Sequence, residues 1–323
     1  MIPRVIRAAR PGESGPPELA LNRLNARRKG ADEWLASHLW RFCPPGCPVK
    51  RSRLRERAGR VAREPDTVGP VSDWAQIRGG TVLYEDDAAL VLNKPAGLAV
   101  MGERHDTDLV RLAEEAGEKL YPAHRIDKVT SGVLLLAKDL HLHGDLTRQF
   151  NRRTVDKAYL AITATTGLPQ RGTIELPLSV GRKNRVRVAA NRAAITYDPD
   201  VSRWSVPPDE QFQEARTYPS TTTFLTVAGD EGHTLLAVSP VTGRRHQIRV
   251  HLAWIGHPIE GDPLFAKAAA GRTLLHSWRL GFDAAWAGGR RIQVEAPPGP
   301  DFWAALPGGA VPLPDWDATA CGH

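Results

Sequence analysis

The sequence predicts an α+β fold, a mixed and mainly antiparallel central sheet with flanking helices. Three observations carry that expectation. From residue 80 onward, apolar runs of 6–8 residues outnumber helical stretches. The runs do not alternate regularly with helices, which argues against a doubly wound parallel sheet. At 323 residues, the chain is long enough for one large domain and a smaller one.

Taken in order, residues 1–30 are rich in Pro, Gly and Arg, a composition that disfavours a packed core. Residues 32–42 space Trp34, Leu35, Leu39 and Phe42 at helical intervals, and 50–63 read as a second, basic helix. Six strands are expected: T-V-L-Y-E-D (81–86), A-L-V-L-N-K-P (89–95), G-V-L-L-L-A-K-D (132–139), K-A-Y-L-A-I-T-A (157–164), T-T-T-F-L-T-V-A (221–228) and H-T-L-L-A-V-S-P (233–240). Helical periodicity marks 108–120, through Leu109, Leu112, Ala113, Ala116 and Leu120, and also 142–152. A third helix is expected to start near Arg245 and to carry Ile248, Leu252 and Ile255. Residues 198–220, with four prolines and Trp204, read as a long surface insertion.

Composition narrows the class. The chain is 41% apolar and 24% charged, ordinary for a globular protein. No run of about 18 uncharged apolar residues is present, which excludes a membrane-spanning helix, and no membrane partner is expected. The N-terminus lacks the apolar core of a secretory signal. Three arginines among the first ten residues hint at a transit peptide, but no serine or threonine precedes Ser14, and a cytoplasmic location is expected. Cys43, Cys47 and Cys321 do not make a disulfide framework. C-P-P-G-C lacks two further ligands at zinc-finger spacing, so no metal is expected there.

Charge is unevenly placed. Residues 1–79 carry 16 Lys/Arg against 8 Asp/Glu, whereas 80–323 carry 27 against 28, so the whole excess of +7 sits at the N-terminal end. Within it, 50–63 has seven basic residues and one acid, an electrostatic footprint for a phosphate backbone. A solvated basic helix face or a disordered arm explains the charge equally well. The charge divides the chain into a basic N-terminal region, 1–79, and a near-neutral remainder, 80–323.

Two distant segments carry the chemistry. Y-P-A-H-R-I-D-K-V-T-S-G (121–132) holds one acid, Asp127, between Arg125 and Lys128. T-G-R-R-H-Q-I-R-V-H-L-A-W-I-G-H-P-I-E-G-D-P-L-F (242–265) holds Arg244, Arg245 and Arg249 with three histidines, and no acid before Glu260. A carboxylate that stays ionised in a dry pocket needs a cationic partner, and a planar Arg fork fits it best. An Asp beside Thr-Ser-Gly is otherwise most often a turn former.

These segments resemble the RluA-type pseudouridine synthases, and so do others in the same order along the chain. They include Tyr84-Glu85-Asp86, Val91 to Leu98, His124 to Asp127 with Thr130-Ser131-Gly132, Gln149-Phe150, Lys157 to Ala161, Gly243-Arg244 with His246 to Leu252, Gly261-Asp262-Pro263, and Leu275-His276-Ser277 through Phe282. The resemblance covers about residues 80–300; it implies that 80–323 is the catalytic domain and, beside such a domain, favours RNA binding for the basic region 1–79. It implies a long sheet with a catalytic cleft across its middle, no cofactor, structured RNA as partner (ribosomal ahead of transfer RNA) and a monomer. Asp127 matches the catalytic acid, acting at the ribose as nucleophile or as base. Arg249 matches its arginine partner, Tyr159 the tyrosine that stacks on the flipped uracil, and Arg125 the residue that fills the vacated space. On pattern alone, a strand tyrosine in the core and a surface phosphate contact are the alternatives for the last two. Lys157 is expected on the sheet face of Tyr159. His124, Arg244 and His246 are further substrate-contact candidates. His246 and His251 are five apart, not at the i, i+4 spacing of a helical zinc pair. A-D-E-W-L-A-S-H-L with S-R-L-R-E-R-A-G-R-V resembles the helical part of an alpha-L RNA-binding module, whose strand part is poorly marked here. Ile126 and Arg245 depart from residues common in the family, and neither removes a group the reaction needs.

Two other classes compete. A non-catalytic RNA-binding factor would keep the basic arm and lose the acid, and Asp127 is intact. A hydrolase could use Ser131, His124 and Asp127, but no G-x-S-x-G elbow is present.

Overall fold

The computed structural model describes residues 73–102, 107–182, 185–266, 271–306 and 308–315. The expected helices at 32–42 and 50–63, the alpha-L resemblance, the basic arm and all three cysteines lie outside the described residues.

The chain enters through α1 (Trp74–Thr81), then β1 (Val82–Glu85), β2 (Ala89–Lys94), α2 (Leu109–Glu115), β3 (Tyr121–Pro122), β4 (Ser131–Ala137) and α3 (Leu140–Arg152). There follow β5 (Asp156–Thr163), β6 (Arg171–Glu175), β7 (Leu178–Val180), β8 (Val186–Val188), β9 (Thr196–Asp198), β10 (Arg203–Ser205), β11 (Thr217–Tyr218), β12 (Thr222–Gly229) and β13 (Thr234–Pro240). The last elements are α4 (Gln247–Trp254), β14 (Leu275–Ala284), β15 (Arg290–Glu295) and α5 (Pro300–Trp303). Asp73, Asp108 and Asp139 each cap the helix that follows, the carboxylate accepting a free backbone N–H. α2 stops well short of residue 120. Gly117, at φ 83°, lets the chain turn back so that Glu118 N–H donates to Ala113 O at 2.8 Å.

Among the described residues a 12-stranded sheet runs β1-β2-β4-β14-β5-β13-β12-β6-β10-β9, with β15 added to β14 and β3 to β4. Its pairings are antiparallel except β4 with β14 and β6 with β10. The sheet is thus mixed and mainly antiparallel, as the strand count predicts. All six expected strands form. Residues 198–220 are not a bare surface loop. They supply β10, which lies between β6 and the edge strand β9, and end in β11, which joins β7 and β8 in a small three-stranded sheet.

The continuous apolar character of β2 and β4 follows from their being covered on both faces. Ala89, Val91, Val133 and Leu135 face α3 and Phe282, while Leu90, Leu92, Leu134 and Leu136 face α1 and α2 through Trp74, Ile77, Leu109 and Leu112. Each Val, Leu, Ile or Phe side chain among them contributes about 1.5–3 kcal/mol when fully buried. Trp74 and Ile77 place α1 with this core, so the segment that packs on the sheet begins before residue 80.

Candidate active site

The segment 123–130 bridges β3 and β4, and its backbone is pinned from three sides. Ala123 N–H donates to Leu135 O at 3.0 Å, and Leu135 N–H donates to His124 Nε2 at 3.0 Å. Gly97 N–H donates to Lys128 O at 2.8 Å, and Thr130 N–H closes a turn on Asp127 O at 3.0 Å. β4 then passes hard against β14. Gly132 sits at φ 108°, and a Cβ there would stand 2.1 Å from Ser277 O, so only glycine lets the strands meet. Beneath the loop, Ser131 Oγ donates to His276 Nδ1 at 2.8 Å, and His276 Nε2 donates to Ala296 O at 3.0 Å.

The second segment leaves β13 and enters α4 through His246, whose backbone is left-handed at φ 55°. The buried amide of Gln247 locks this entry. Its Oε1 accepts from Thr242 Oγ1 (2.6 Å) and Arg244 N–H (3.0 Å), and its Nε2 donates to Thr221 O (2.9 Å) and Thr222 Oγ1 (3.0 Å). Arg249, one turn along, is 3% exposed. Its Nε and Nη2 donate to both oxygens of the fully buried Asp262, at 2.7 and 2.9 Å, and its Nη1 donates to Asp127 Oδ2 at 2.8 Å. One guanidinium thus holds two carboxylates. Asp127 Oδ1 is left facing His246 Nε2 at 3.7 Å, beyond hydrogen-bond reach. The Asp127 side chain is 18% exposed, and it opens on a cleft of about 460 Å³.

Asp127 is the acid of that cleft among its lining residues, against six cations: Arg125, Arg153, Lys157, Arg244, Arg245 and Arg249. Burial opposes the charge of Arg249, but Asp262 and Asp127 outweigh it and hold its pKa above the ordinary value. Burial pushes Tyr159 up to about 12, with Asp127 adding to the shift, so its hydroxyl keeps its proton at neutral pH. Burial, helped by Arg153, brings Lys157 down to about 8. Lys94 is fully buried behind the loop, donating to Pro95 O and Leu98 O at 2.8 and 2.7 Å. Burial lowers it to about 7 against the pull of Asp127. His246 is lowered by burial, which Asp127 opposes.

The structure therefore brings Asp127, Arg249, Tyr159, Arg125, Lys157, His124, Arg244 and His246 to one cleft. Lys157 and Tyr159 share a sheet face, as their spacing requires. His124 is mainly turned to framework duty: its Nε2 is taken by Leu135 and its ring stacks on Phe150 at 4.6 Å. His251 is wholly framework, bonded to Thr222 Oγ1 and Leu176 O at 2.9 Å each. Ser131 pairs with His276 rather than His124, which removes the geometry of the hydrolase reading. Three participants escaped sequence reasoning: Asp262 as the second acid on Arg249, Arg153 at the cleft wall, and Lys94. No spacing rule links Asp262 to Arg249, because a loop returns it. Among the described residues no group of three His, Cys, Asp or Glu side chains is placed to hold a metal, and no helix is long and apolar enough to cross a membrane.

Residues 88–254 match the family model for RNA pseudouridylate synthase. The chain is 32% identical over 244 residues to the ribosomal large subunit pseudouridine synthase D of Nitrosomonas europaea, covering 70% of this chain and 63%, under two thirds, of that relative. It is 33% identical over 227 residues to the dual-specificity RNA pseudouridine synthase RluA of Vibrio vulnificus, covering 66% of this chain and 79% of the relative. Among solved structures, human RNA pseudouridylate synthase domain containing 4 superposes with a TM-score of 0.57 at 24% identity, covering 72% of this chain and 94% of that one. Human RNA pseudouridylate synthase domain containing 1 gives 0.57 at 22%, covering 79% and 95%. These two share the fold. With the family model spanning more than half of its residues, and with relatives of the RluA type, this chain belongs to the RNA pseudouridylate synthase family, whose members are isomerases.

Proposed function

We propose that this chain isomerises chosen uridines to pseudouridine in structured RNA, ribosomal RNA ahead of transfer RNA, with Asp127 as the acting carboxylate. The observation that carries the reading is the asymmetry of Asp127: one oxygen is tied to Arg249 and the other opens on a cleft otherwise lined by cations.

The reaction breaks the bond from uracil N1 to the ribose and remakes it through C5, adding no atoms and needing no redox step. Whether the carboxylate attacks the anomeric carbon or takes a proton from its neighbour, it has to be ionised. The Arg249 guanidinium, donating to Asp127 Oδ2 at 2.8 Å, is the opposite charge paired with it. Asp262 keeps that guanidinium in place, so Asp127 need not supply its only bond.

The target base must leave its stack, at a cost of roughly a few kcal/mol. Arg125, exposed at the mouth, is the group to fill the space it leaves. Tyr159 offers a ring face to the flipped uracil, an interaction of about 1–3 kcal/mol. Lys157, Arg244 and His246 contact the RNA around it, and a phosphate beside Lys157 would favour its charged form. Residues 1–79 add sequence-independent grip through their basic stretch.

The test is a transcriptome-wide pseudouridine map of a deletion strain, rescued with wild type or with Asp127→Asn. A site that disappears and returns only with wild type supports the assignment and identifies the RNA. No change at any site, or equal rescue by both, overturns it. Because α1 packs on the sheet, the arm is best tested by removing residues 1–72, which should weaken RNA binding and flatten its salt dependence.

A further inference from the structure

The chain from β10 to β12 ends in β11, and two observations fix β11 beside the cleft. Thr217 and Tyr218 pair with Ser179 and Leu178 of β7, and Leu178 is buried. Gln247 bonds Thr221 and Thr222, just beyond β11, and holds the backbone of Arg244 with the same amide. The spacing between Tyr218 and Arg244 is therefore set by a fully satisfied buried group.

Over the half-buried Tyr218 ring lie two guanidiniums, Arg216 at 5.1 Å and Arg244 at 5.2 Å from its centroid. Both arginines are exposed, and Arg244 lines the cleft of Asp127. Neither forms an ion pair with a carboxylate among the described residues, whereas Arg78, Arg249, Arg279 and Arg291 all do. Two like charges gathered on one ring repel each other, with no ion pair among the described residues to offset them. The ring orders the two cations at little entropic cost. An anion seated between them relieves the repulsion.

We propose that Arg216, Tyr218 and Arg244 form a phosphate clamp that holds the RNA strand beside the target nucleotide, on the wall opened by the residues before β12. The clamp rests on the pseudouridine synthase reading and extends it, because it gives residues 198–220 a part in substrate choice. A planar guanidinium pair matches phosphate oxygens in fork geometry. The Tyr218 ring holds the forks in place and leaves the chemistry to Asp127.

The experiment measures kcat/KM for pseudouridine formation against salt concentration. It uses the full chain and, as probe, total RNA from cells with the gene deleted. The comparison is among wild type, Arg216→Gln, Tyr218→Phe and Tyr218→Leu. Each lost phosphate contact lowers the slope of log(kcat/KM) against log salt by about 0.7–0.9. Arg216→Gln should show that single decrement. Tyr218→Leu should lose kcat/KM at every salt concentration, and Tyr218→Phe, which keeps the ring, should lose much less. If wild type forms pseudouridine and both Arg216→Gln and Tyr218→Leu match it throughout, the clamp is wrong and the function stands. If wild type forms none in that RNA, the functional reading fails and the clamp falls with it.

Discussion

Two buried polar networks stand a few residues apart, and both contain the ingredients of a catalytic site. In one, Arg249 joins Asp127 to Asp262. In the other, Ser131 donates to His276, which a backbone carbonyl orients, at distances a serine hydrolase would accept. What separates them is access and charge. Ser131 and His276 are 5% and 2% exposed, and Arg272 donates to Ser131 Oγ at 2.7 Å, occupying a lone pair a nucleophile would need. Arg272 is itself held by Asp301. Asp127 keeps one oxygen free toward a cationic cleft. A dyad at catalytic distance is structural when nothing can reach it, and here it anchors the loop that carries Asp127, the acid we propose to act.

That contrast can be broken from either side. The largest effect is expected for Asp127→Asn, which keeps an acceptor for Arg249 but loses the charge. Pseudouridine formation should fall at least about 10³-fold, with RNA binding and the urea midpoint close to wild type. Arg249→Met should abolish activity and also leave Asp262 buried without its cation. Removing one partner of a buried pair costs about 3–5 kcal/mol, readable as a lower urea midpoint. Ser131→Ala should act on stability alone, by about 1–3 kcal/mol through the unpaired Arg272 and His276 groups, with the rate per folded molecule unchanged.

A smaller effect concerns pH. Burial holds His251 and His276 down to about 4 and His124 to about 3. Unfolded, these rings take up protons below about 6.5, while folded they remain neutral. The unfolded state then binds more protons, so stability must fall as pH drops from about 6.5 toward 4. His251→Gln, which keeps a donor and an acceptor but does not titrate, should lose less stability over that window in denaturant titrations. An identical pH dependence would remove His251 from the account.

Much of this was legible in the sequence because the informative groups sit in runs. β2 and β4 are nearly continuous apolar runs, β5, β12 and β13 are seven or eight residues long and rich in strand-forming residues, and Asp127 and Arg249 lie in compact motifs. What escaped depends on long-range return of the chain. β6 to β11 are two to five residues long, too short to show a period. β14 carries His276 and Arg279, whose burial needs Ser131 and Glu295 of β15 as partners, and no local pattern reveals them. Asp262 reads as a turn acid, and it is one, accepting from Leu264 and Phe265 N–H as well as from Arg249. Lys94 looks like a solvated strand-end lysine until its carbonyl partners close over it.

The most direct test sets Asp127→Asn beside Ser131→Ala and reads single-turnover pseudouridine formation and the urea midpoint for both. The account predicts opposite losses: Asp127→Asn keeps its midpoint and loses its rate, and Ser131→Ala keeps its rate and loses midpoint. An Asp127→Asn protein that forms pseudouridine at the wild-type rate, or a folded Ser131→Ala protein that forms none, would contradict it.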